Sequence, residues 1–457
     1  MSKKKLPIVA IIGRANVGKS SLFNAILHRR ETIVANEPGV TRDSIMAKAT
    51  IVSDNKNQDF WIVDTAGMKD PEDDFEFTIQ EQITQAADSA DIIIVMTEAG
   101  AIVSDEDRKI AKTALRTKKP IILVANKLDK YRRKDLSHLQ KFGISNIFAT
   151  SVTQSRGIDD LLTCLSNIMP KVVLTEDDNR LRIALLGRPN VGKSSLFNTL
   201  AKKQQAIVSA RAGTTRDINR VIIRYKNREI ELLDTAGIRR SGKIEVGIEK
   251  FSVIRSLSAI EQADICLLLI DVNEPHAQLD QKIAGIIKEA GKGLVLVVSK
   301  WDSIDKSPFT RDQMAPKVAA DFDFVPWAPL VFTSSVSGQN VTKLFDIALE
   351  IEKNRQTRIK TSELNKWLIS TINKHPPVGL KNKTPKLHYI TQESDNPTPN
   401  FKVFGSQTRF LHWSYKRFME RSLRQQYNFE GTPLFFWFFD KNVHYNLEKR
   451  APRKGKN

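Results

Sequence analysis

Apolar and polar positions alternate in blocks along the first three quarters of this chain. The apolar run Ile8 to Ile12 leads into a glycine-rich turn, and then into Ser20 to Leu27, where apolar residues recur at helical spacing. The same succession returns at Ile183 to Leu186 and Ser194 to Ala201. ADIIIVM (90–96), SDEDRKIAKTAL (104–115) and PIILVAN (120–126) read as strand, helix and strand. Apolar strands separated by amphipathic helices predict doubly wound, mostly parallel sheets covered on both faces, an α/β architecture used twice in tandem. The last quarter has another rhythm. A helix pattern (Leu364, Trp367, Leu368, Ile372) behind a Thr361/Ser362 cap precedes two strand-like runs, LHYITQ (387–392) and FKVFG (401–405). A second helix pattern (Leu411, Tyr415, Phe418, Leu423) and the run LFFWFF (434–439) follow. This α-β-β-α-β order predicts a small two-layer α/β domain with its helix-spaced aromatics in the core.

The two glycine-rich turns are one motif written twice, 174 residues apart. Gly13, Arg14, Ala15, Asn16, Val17, Gly18, Lys19 and Ser20 form the first copy; Gly187, Arg188, Pro189, Asn190, Val191, Gly192, Lys193 and Ser194 form the second. Both fit G-x-x-x-x-G-K-[ST], in which backbone N–H groups cradle phosphates, the lysine reaches the terminal phosphates and the hydroxyl binds Mg²⁺. A P-loop repeated in this way marks a duplicated nucleotide-binding domain.

Further pairs follow in the same order. PGVTRD (38–43) and AGTTRD (212–217) supply Thr41 and Thr215, whose hydroxyls can join Ser20 and Ser194 on Mg²⁺ and whose loops order only with a triphosphate. DTAG ends an apolar strand at Asp64, Thr65, Ala66 and Gly67, and again at Asp234, Thr235, Ala236 and Gly237. The aspartate can hold a metal-bound water and the glycine N–H can meet the γ-phosphate. Lys19, Thr41, Asp64 and Gly67, with Lys193, Thr215, Asp234 and Gly237, are therefore the candidate catalytic groups. Met68 and Ile238 follow the glycines where Ras-like GTPases carry a water-orienting glutamine, so hydrolysis needs help from elsewhere.

Base selection comes from Asn126, Lys127 and Asp129 (NKLD), and from Ser299, Lys300 and Asp302 (SKWD). A carboxylate accepts both the N1–H and the N2–H₂ of guanine, a pattern adenine lacks, which points to GTP and GDP. Ser299 is shorter than asparagine and is not expected to reproduce an amide's paired donor and acceptor, so weaker guanine binding is expected at the second site. TSV (150–152) and SSV (334–336) complete the sets, with Ser151 and Ser335 placed near the base.

Composition narrows the setting. No apolar run approaches the roughly 18 residues needed to cross a bilayer, and the two cysteines, Cys164 and Cys266, lie in separate repeats and imply no disulfide or metal framework. Of the net charge of +19, a surplus of 13 lies between Ile351 and Asn457, where 21 Lys plus Arg face 8 Asp plus Glu. That concentration suggests a polyanionic partner, most often nucleic acid.

Two complete motif sets, TRD after the switch threonine and an apolar residue after DTAG resemble the Der (EngA) family of bacterial ribosome-assembly GTPases. The resemblance extends to TSELNKWL (361–368), HPP (375–377), LHYITQ, HWSYKRF (412–418) and FEGTPL (429–434), which look like that family's KH-like domain. It implies GTPase domains at 1–168 and 181–352, an acidic linker at 169–180, a KH-like domain at 353–448 and a basic tail at 449–457. It further implies a cytoplasmic monomer that binds the large (50S) ribosomal subunit and its RNA late in assembly, with no DNA partner and no stable membrane association. In similar GTPases lacking the switch glutamine, a phosphate-loop asparagine helps hold potassium, a place filled here by Asn16 and Asn190. No GXXG loop is present in the KH-like region, so RNA contact is expected to rest mainly on Lys and Arg. An RNA-binding scaffold with one active and one degenerate guanine-sensing domain stays open as the alternative.

Overall fold

The computed structural model describes residues 3–4, 6–27, 46–53, 56–64, 87, 90–100, 103–131, 136–170, 174–175, 180–203, 219–234, 251–275, 278–304, 309–380, 383–394 and 396–440. The chain divides into two compact units, residues 1–179 with 238–262, and residues 180–237 with 263–457.

The first unit runs β1 (Lys3–Lys4), β2 (Ile8–Gly13), α1 (Lys19–Leu27), β3 (Met46–Ser53), β4 (Lys56–Asp64), β5 (Ile92–Glu98), α2 (Asp105–Arg116), β6 (Ile121–Asn126), β7 (Asn146–Ala149), α3 (Ile158–Ile168) and β8 (Leu174–Thr175). Six strands form one sheet in the order β3-β4-β2-β5-β6-β7, antiparallel only between β3 and β4. Every residue of β2 is buried, as expected of a central parallel strand covered on both faces. On one face Val9, Ile11, Phe60 and Ile94 pack against Leu22 and Ile26 of α1 and Leu161 and Leu165 of α3. Ser104 and Asp107 close a reciprocal capping box that starts α2. Within the acidic stretch 169–180, Leu174–Thr175 form β8, which pairs antiparallel with β1.

The second repeat has the same plan: β9 (Leu181–Leu186), α4 (Lys193–Lys203), β10 (Asn219–Tyr225), β11 (Arg228–Asp234), α5 (Phe251–Gln262), β12 (Ile265–Asp271), α6 (Gln278–Glu289), β13 (Gly293–Ser299), α7 (Thr310–Asp321), β14 (Leu330–Phe332) and α8 (Lys343–Gln356). Its sheet order is β10-β11-β9-β12-β13-β14, again antiparallel only at the first pair. Helix α5 belongs to the first compact unit. There the Glu261 carboxylate accepts hydrogen bonds from Trp61 Nε1 (2.6 Å) and Leu6 N (3.2 Å), which satisfies the indole N–H of a fully buried tryptophan.

The last quarter forms α9 (Thr361–Lys374), β15 (Lys386–Gln392), β16 (Asn400–Ser406), α10 (Trp413–Gln426) and β17 (Phe435–Asp440), in the expected order. Leu364, Trp367, Tyr415 and Leu423 are buried against Phe401 and Val403. The cap differs from expectation. Lys360, in extended backbone, precedes the helix and makes no side-chain capping bond, while Thr361 is already helical. The Leu364 N–H bonds the Lys360 carbonyl, so turning Leu364 into the core sets the helix start one residue early. No helix among the described residues is long and apolar enough to cross a membrane.

Candidate functional site

Both phosphate loops leave the carboxyl end of a central strand and enter a helix at its lysine, where parallel sheets of this kind bind ligands. Val17 and Val191 are buried beneath their loops. Asn16 (φ 64°) and Asn190 (φ 62°) take the left-handed backbone that asparagine tolerates better than most residues. The Lys19 ammonium donates to the carbonyls of Gly13 and Arg14, both at 2.7 Å. Lys193 likewise donates to Gly187 (2.8 Å) and Arg188. Each lysine thus spans its own loop. Ser20 and Ser194 are exposed in the first helical turns, and Asp64 and Asp234 are buried at the tips of β4 and β11. Loop amides with a helix N-terminus make an anion cradle. Thr41, Thr65, Ala66, Gly67, Met68, Thr215, Thr235, Ala236, Gly237 and Ile238 lie outside the described residues.

The two base loops are built alike but tied differently. Asn126 Nδ2 donates to the Val17 carbonyl at 2.9 Å, while its Oδ1 accepts from Thr150 Oγ1 (3.2 Å) and Val152 N (3.3 Å). Ser299 Oγ lies 2.7 Å from the Val191 carbonyl, the equivalent acceptor, and 3.1 Å from the Ile270 carbonyl. The expectation that serine loses the amide's role is therefore half corrected. The donor tie to the phosphate loop survives, because a short side chain reaches where the backbone comes close. The acceptor half is gone, and Thr333 Oγ1 turns to the Val298 carbonyl instead.

The last motif pair is shifted by one residue from the sequence reading. The N–H of Leu128 bonds the Thr150 carbonyl, and that of Trp301 bonds the Thr333 carbonyl. Ser151 Oγ accepts from Gln154 N, and Ser334 Oγ accepts from Ser337 N, the same three-residue step. Ser334, not Ser335, therefore stands where Ser151 stands. Ser335 matches Val152, and its carbonyl accepts from Thr199 Oγ1 at 3.2 Å. Ser151 Oγ also donates to Asp129, which holds that carboxyl below its ordinary range and so keeps it anionic.

Lys127 and Lys300 also have left-handed backbones, and each meets an acid that the sequence reading missed. Lys127 Nζ is 3.1 Å from Glu98, and Lys300 Nζ is 2.6 Å from Asp271. Burial raises both carboxyls, but hydrogen bonds from Tyr131 and Lys127 to Glu98, and from Lys300 to Asp271, outweigh it and lower both. The available signal was an acid ending the same strand, β5 or β12, in each repeat.

Arg14 and Arg188, expected in the nucleotide site, turn their side chains toward acids of the protein. Arg188 is buried, with Nε 3.1 Å from Asp280 and Nη1 2.8 Å from Glu274; Nη2 donates to the Glu274 carbonyl at 2.8 Å. In the first repeat Arg14 Nε lies 3.4 Å from Asp107. Asp107 and Asp280 sit in the first turns of α2 and α6, so each phosphate loop is pinned from behind to a helix. Any contact of these arginines with phosphate falls to their backbone N–H groups.

These paired constellations match known proteins. A family model described as "50S ribosome-binding GTPase" matches residues 8–127 and again 182–300, and one described as the C-terminal KH-domain-like region of EngA bacterial GTPases matches 358–438. GTPase Der of Agathobacter rectalis is 39% identical over 434 residues, covering 94% of this chain and 97% of that protein. GTPase Der of Chloroflexus aggregans is 41% identical over 442 residues, with the same coverage. A solved structure of Aquifex aeolicus Era bound to GDP·AlF₄⁻ shares 20% identity over 57% of this chain and 92% of that one, at a TM-score of 0.29. The tandem P-loop repeats and the C-terminal α/β domain, matched along nearly the whole length, place this chain in the GTPase Der (EngA) family as a GTP-hydrolysing enzyme.

Proposed function

We propose that the chain is a two-site GTP switch that binds the large ribosomal subunit and its RNA during late assembly, in the cytoplasm and as a monomer. The observation that carries this reading is the duplication of one constellation, phosphate loop, strand-tip aspartate and base loop, beside a basic C-terminal region. In it the domains follow the boundaries read from the sequence. Lys19 and Lys193 neutralise the β- and γ-phosphates, Asp129 and Asp302 select guanine, and Thr41, Gly67, Thr215 and Gly237 read the γ-phosphate. Relatives carry the name GTPase Der, and the matching family model is described by 50S binding, which supports the ribosomal partner.

The donor sets suit the expected cations. Exposed hydroxyls of Ser20 and Ser194, each in the same repeat as a buried strand-tip carboxylate, are hard oxygen donors of the kind Mg²⁺ takes alongside phosphate. Thr41 and Thr215 would add further hydroxyls. Asn16 and Asn190 are exposed on left-handed backbone and offer neutral carbonyl oxygens to potassium. A monovalent cation there supplies positive charge beside the phosphates. Ser299 retains its tie to the phosphate loop, which favours two working sites over the scaffold reading with one degenerate domain.

Sedimentation with purified ribosomal subunits tests this reading. Association with the large subunit is expected with a non-hydrolysable GTP analogue and reduced with GDP. Absence of association in every nucleotide state overturns it.

A further inference from the structure

The open face of the C-terminal sheet carries an ordered row of aromatic rings. In β16, Phe401 and Val403 are buried against the helices, so Lys402, Phe404 and Ser406 turn to the other side. Strand β17 pairs parallel with it, setting Trp437 beside Lys402 and Phe439 beside Phe404. An irregularity in β15 between Leu387 and Tyr389 brings Tyr389 opposite Phe404. The ring centroids of Tyr389 and Phe404 are 6.1 Å apart, and those of Phe404 and Phe439 are 5.4 Å apart with planes 25° from parallel. Tyr389 is 43% exposed, Phe439 38% and Trp437 36%. Three large rings on the two outer strands, either side of β16, thus keep more than a third of their surface open.

We propose that this face is a stacking platform for unpaired bases of single-stranded RNA, an inference that rests on the RNA partner proposed above. The composition of the face carries the choice of occupant. Its outward positions hold aromatic rings, the hydroxyls of Thr391 and Ser406, and the basic side chains Lys386, Lys402 and His388, with no Leu, Ile, Val or Met among them. Exposed aromatics alone would suit a protein partner equally well, so the choice rests on the basic and hydroxyl side chains set among them and on the positive charge of the region. Rings, hydroxyls and ammonium groups together match the π-faces, 2′-hydroxyls and phosphates of RNA. Two acids at the margin are already engaged, Glu393 by Lys402 at 2.6 Å and Asp440 by Thr408 N at 2.7 Å. The surrounding region carries the surplus of 13 positive charges that draws a polyanion toward it. The chain also lacks the GXXG loop by which KH domains clamp a strand, so base recognition needs another surface.

The test uses the full chain, a short fluorescent oligouridylate and the matching abasic ribose-phosphate chain. Tyr389→Ala and Phe439→Ala should each weaken oligouridylate binding about 5- to 150-fold. Tyr389→Phe and Phe439→Tyr should bind as the native chain does, and the salt dependence should not change, because no phosphate contact is lost. The abasic chain should bind weakly and equally to all. GTP hydrolysis reports intact folding; should an alanine variant lose it, Tyr389→Leu keeps bulk without a π-face and is expected to lose the same affinity. Equal oligouridylate affinity in native and variant chains, the result of a protein-docking face, overturns the platform and leaves the RNA partner standing. No binding by the native chain overturns both.

Discussion

Ser299 reaches the Val191 carbonyl at 2.7 Å, the same contact that Asn126 makes with Val17 at 2.9 Å. A hydroxyl thus does the donor work of an amide between the base loop and the phosphate loop. Ser299→Ala strands a buried carbonyl, worth roughly 1 to 3 kcal/mol, and should weaken guanine nucleotide binding at the second site by at least about fivefold. A fluorescent GDP analogue, titrated into chains whose first site carries Asp129→Asn, measures it. Unchanged affinity would show that the tie is incidental.

The same exchange alters what the neighbouring glycine tolerates. A Cβ on Gly18 would stand 2.4 Å from Asn126 Nδ2, whereas one on Gly192 meets nothing within 4 Å. Both backbones are left-handed, at φ +102° and +96°, so alanine strains either loop. Gly18→Ala should nevertheless harm nucleotide binding more than Gly192→Ala. In a Ser299→Asn background the difference should vanish, giving a coupling of about 1 kcal/mol or more in a double-mutant cycle. Additive effects would refute the steric account.

Guanine selection by the carboxylates predicts a base switch. Asp129→Asn offers an amide N–H to the purine C2 position and should move the first site from guanine toward xanthine nucleotides. Asp302→Asn should do the same at the second. Competition between GTP and XTP for each variant decides it, and a retained GTP preference would exclude the assigned aspartate.

Asp280 gives the second site a pH signature. Burial pushes this carboxyl up to about 6 from an ordinary 3.8, although Arg188 lies beside it and pulls it down. A carboxyl that holds its proton more tightly when folded adds stability that is fully present below 3.8 and declines as pH rises through about 6. At 1.36 kcal/mol per tenfold, that decline amounts to about 3 kcal/mol. Asp280→Asn removes the slope, so the variant should gain stability relative to the native chain between pH 4 and pH 7. Urea midpoints of the two chains should converge or cross as pH rises; parallel curves would contradict the assignment.

Potassium dependence is the sharpest test of Asn16 and Asn190. GTP turnover should be several-fold faster in potassium than in sodium at matched ionic strength, and Asn16→Ala with Asn190→Ala should remove the difference. Equal native rates in the two salts would exclude the cation.

Much of this was legible in the sequence because it is local. A phosphate loop compresses strand end, turn and helix start into eight residues, and its repetition carries over to the sheet order. What escaped was set by contacts between distant segments. Arg188 and Asp280 are 92 residues apart, and the acid reads only as a helix start. The sequence pairs Ser151 with Ser335 rather than Ser334 because two short polar motifs share letters, and hydrogen bonds alone fix their register. LFFWFF reads as core throughout, yet its alternation in the sheet leaves Trp437 and Phe439 open.

The two-residue strands β1 and β8 join Lys3–Lys4 to Leu174–Thr175. Closing a loop of that length in an unfolded chain carries an entropic penalty that so few backbone bonds do not offset. The pairing therefore becomes favourable only after the six-stranded sheet has brought the ends together. It is a clasp laid on a nucleotide-binding sheet that is already in place.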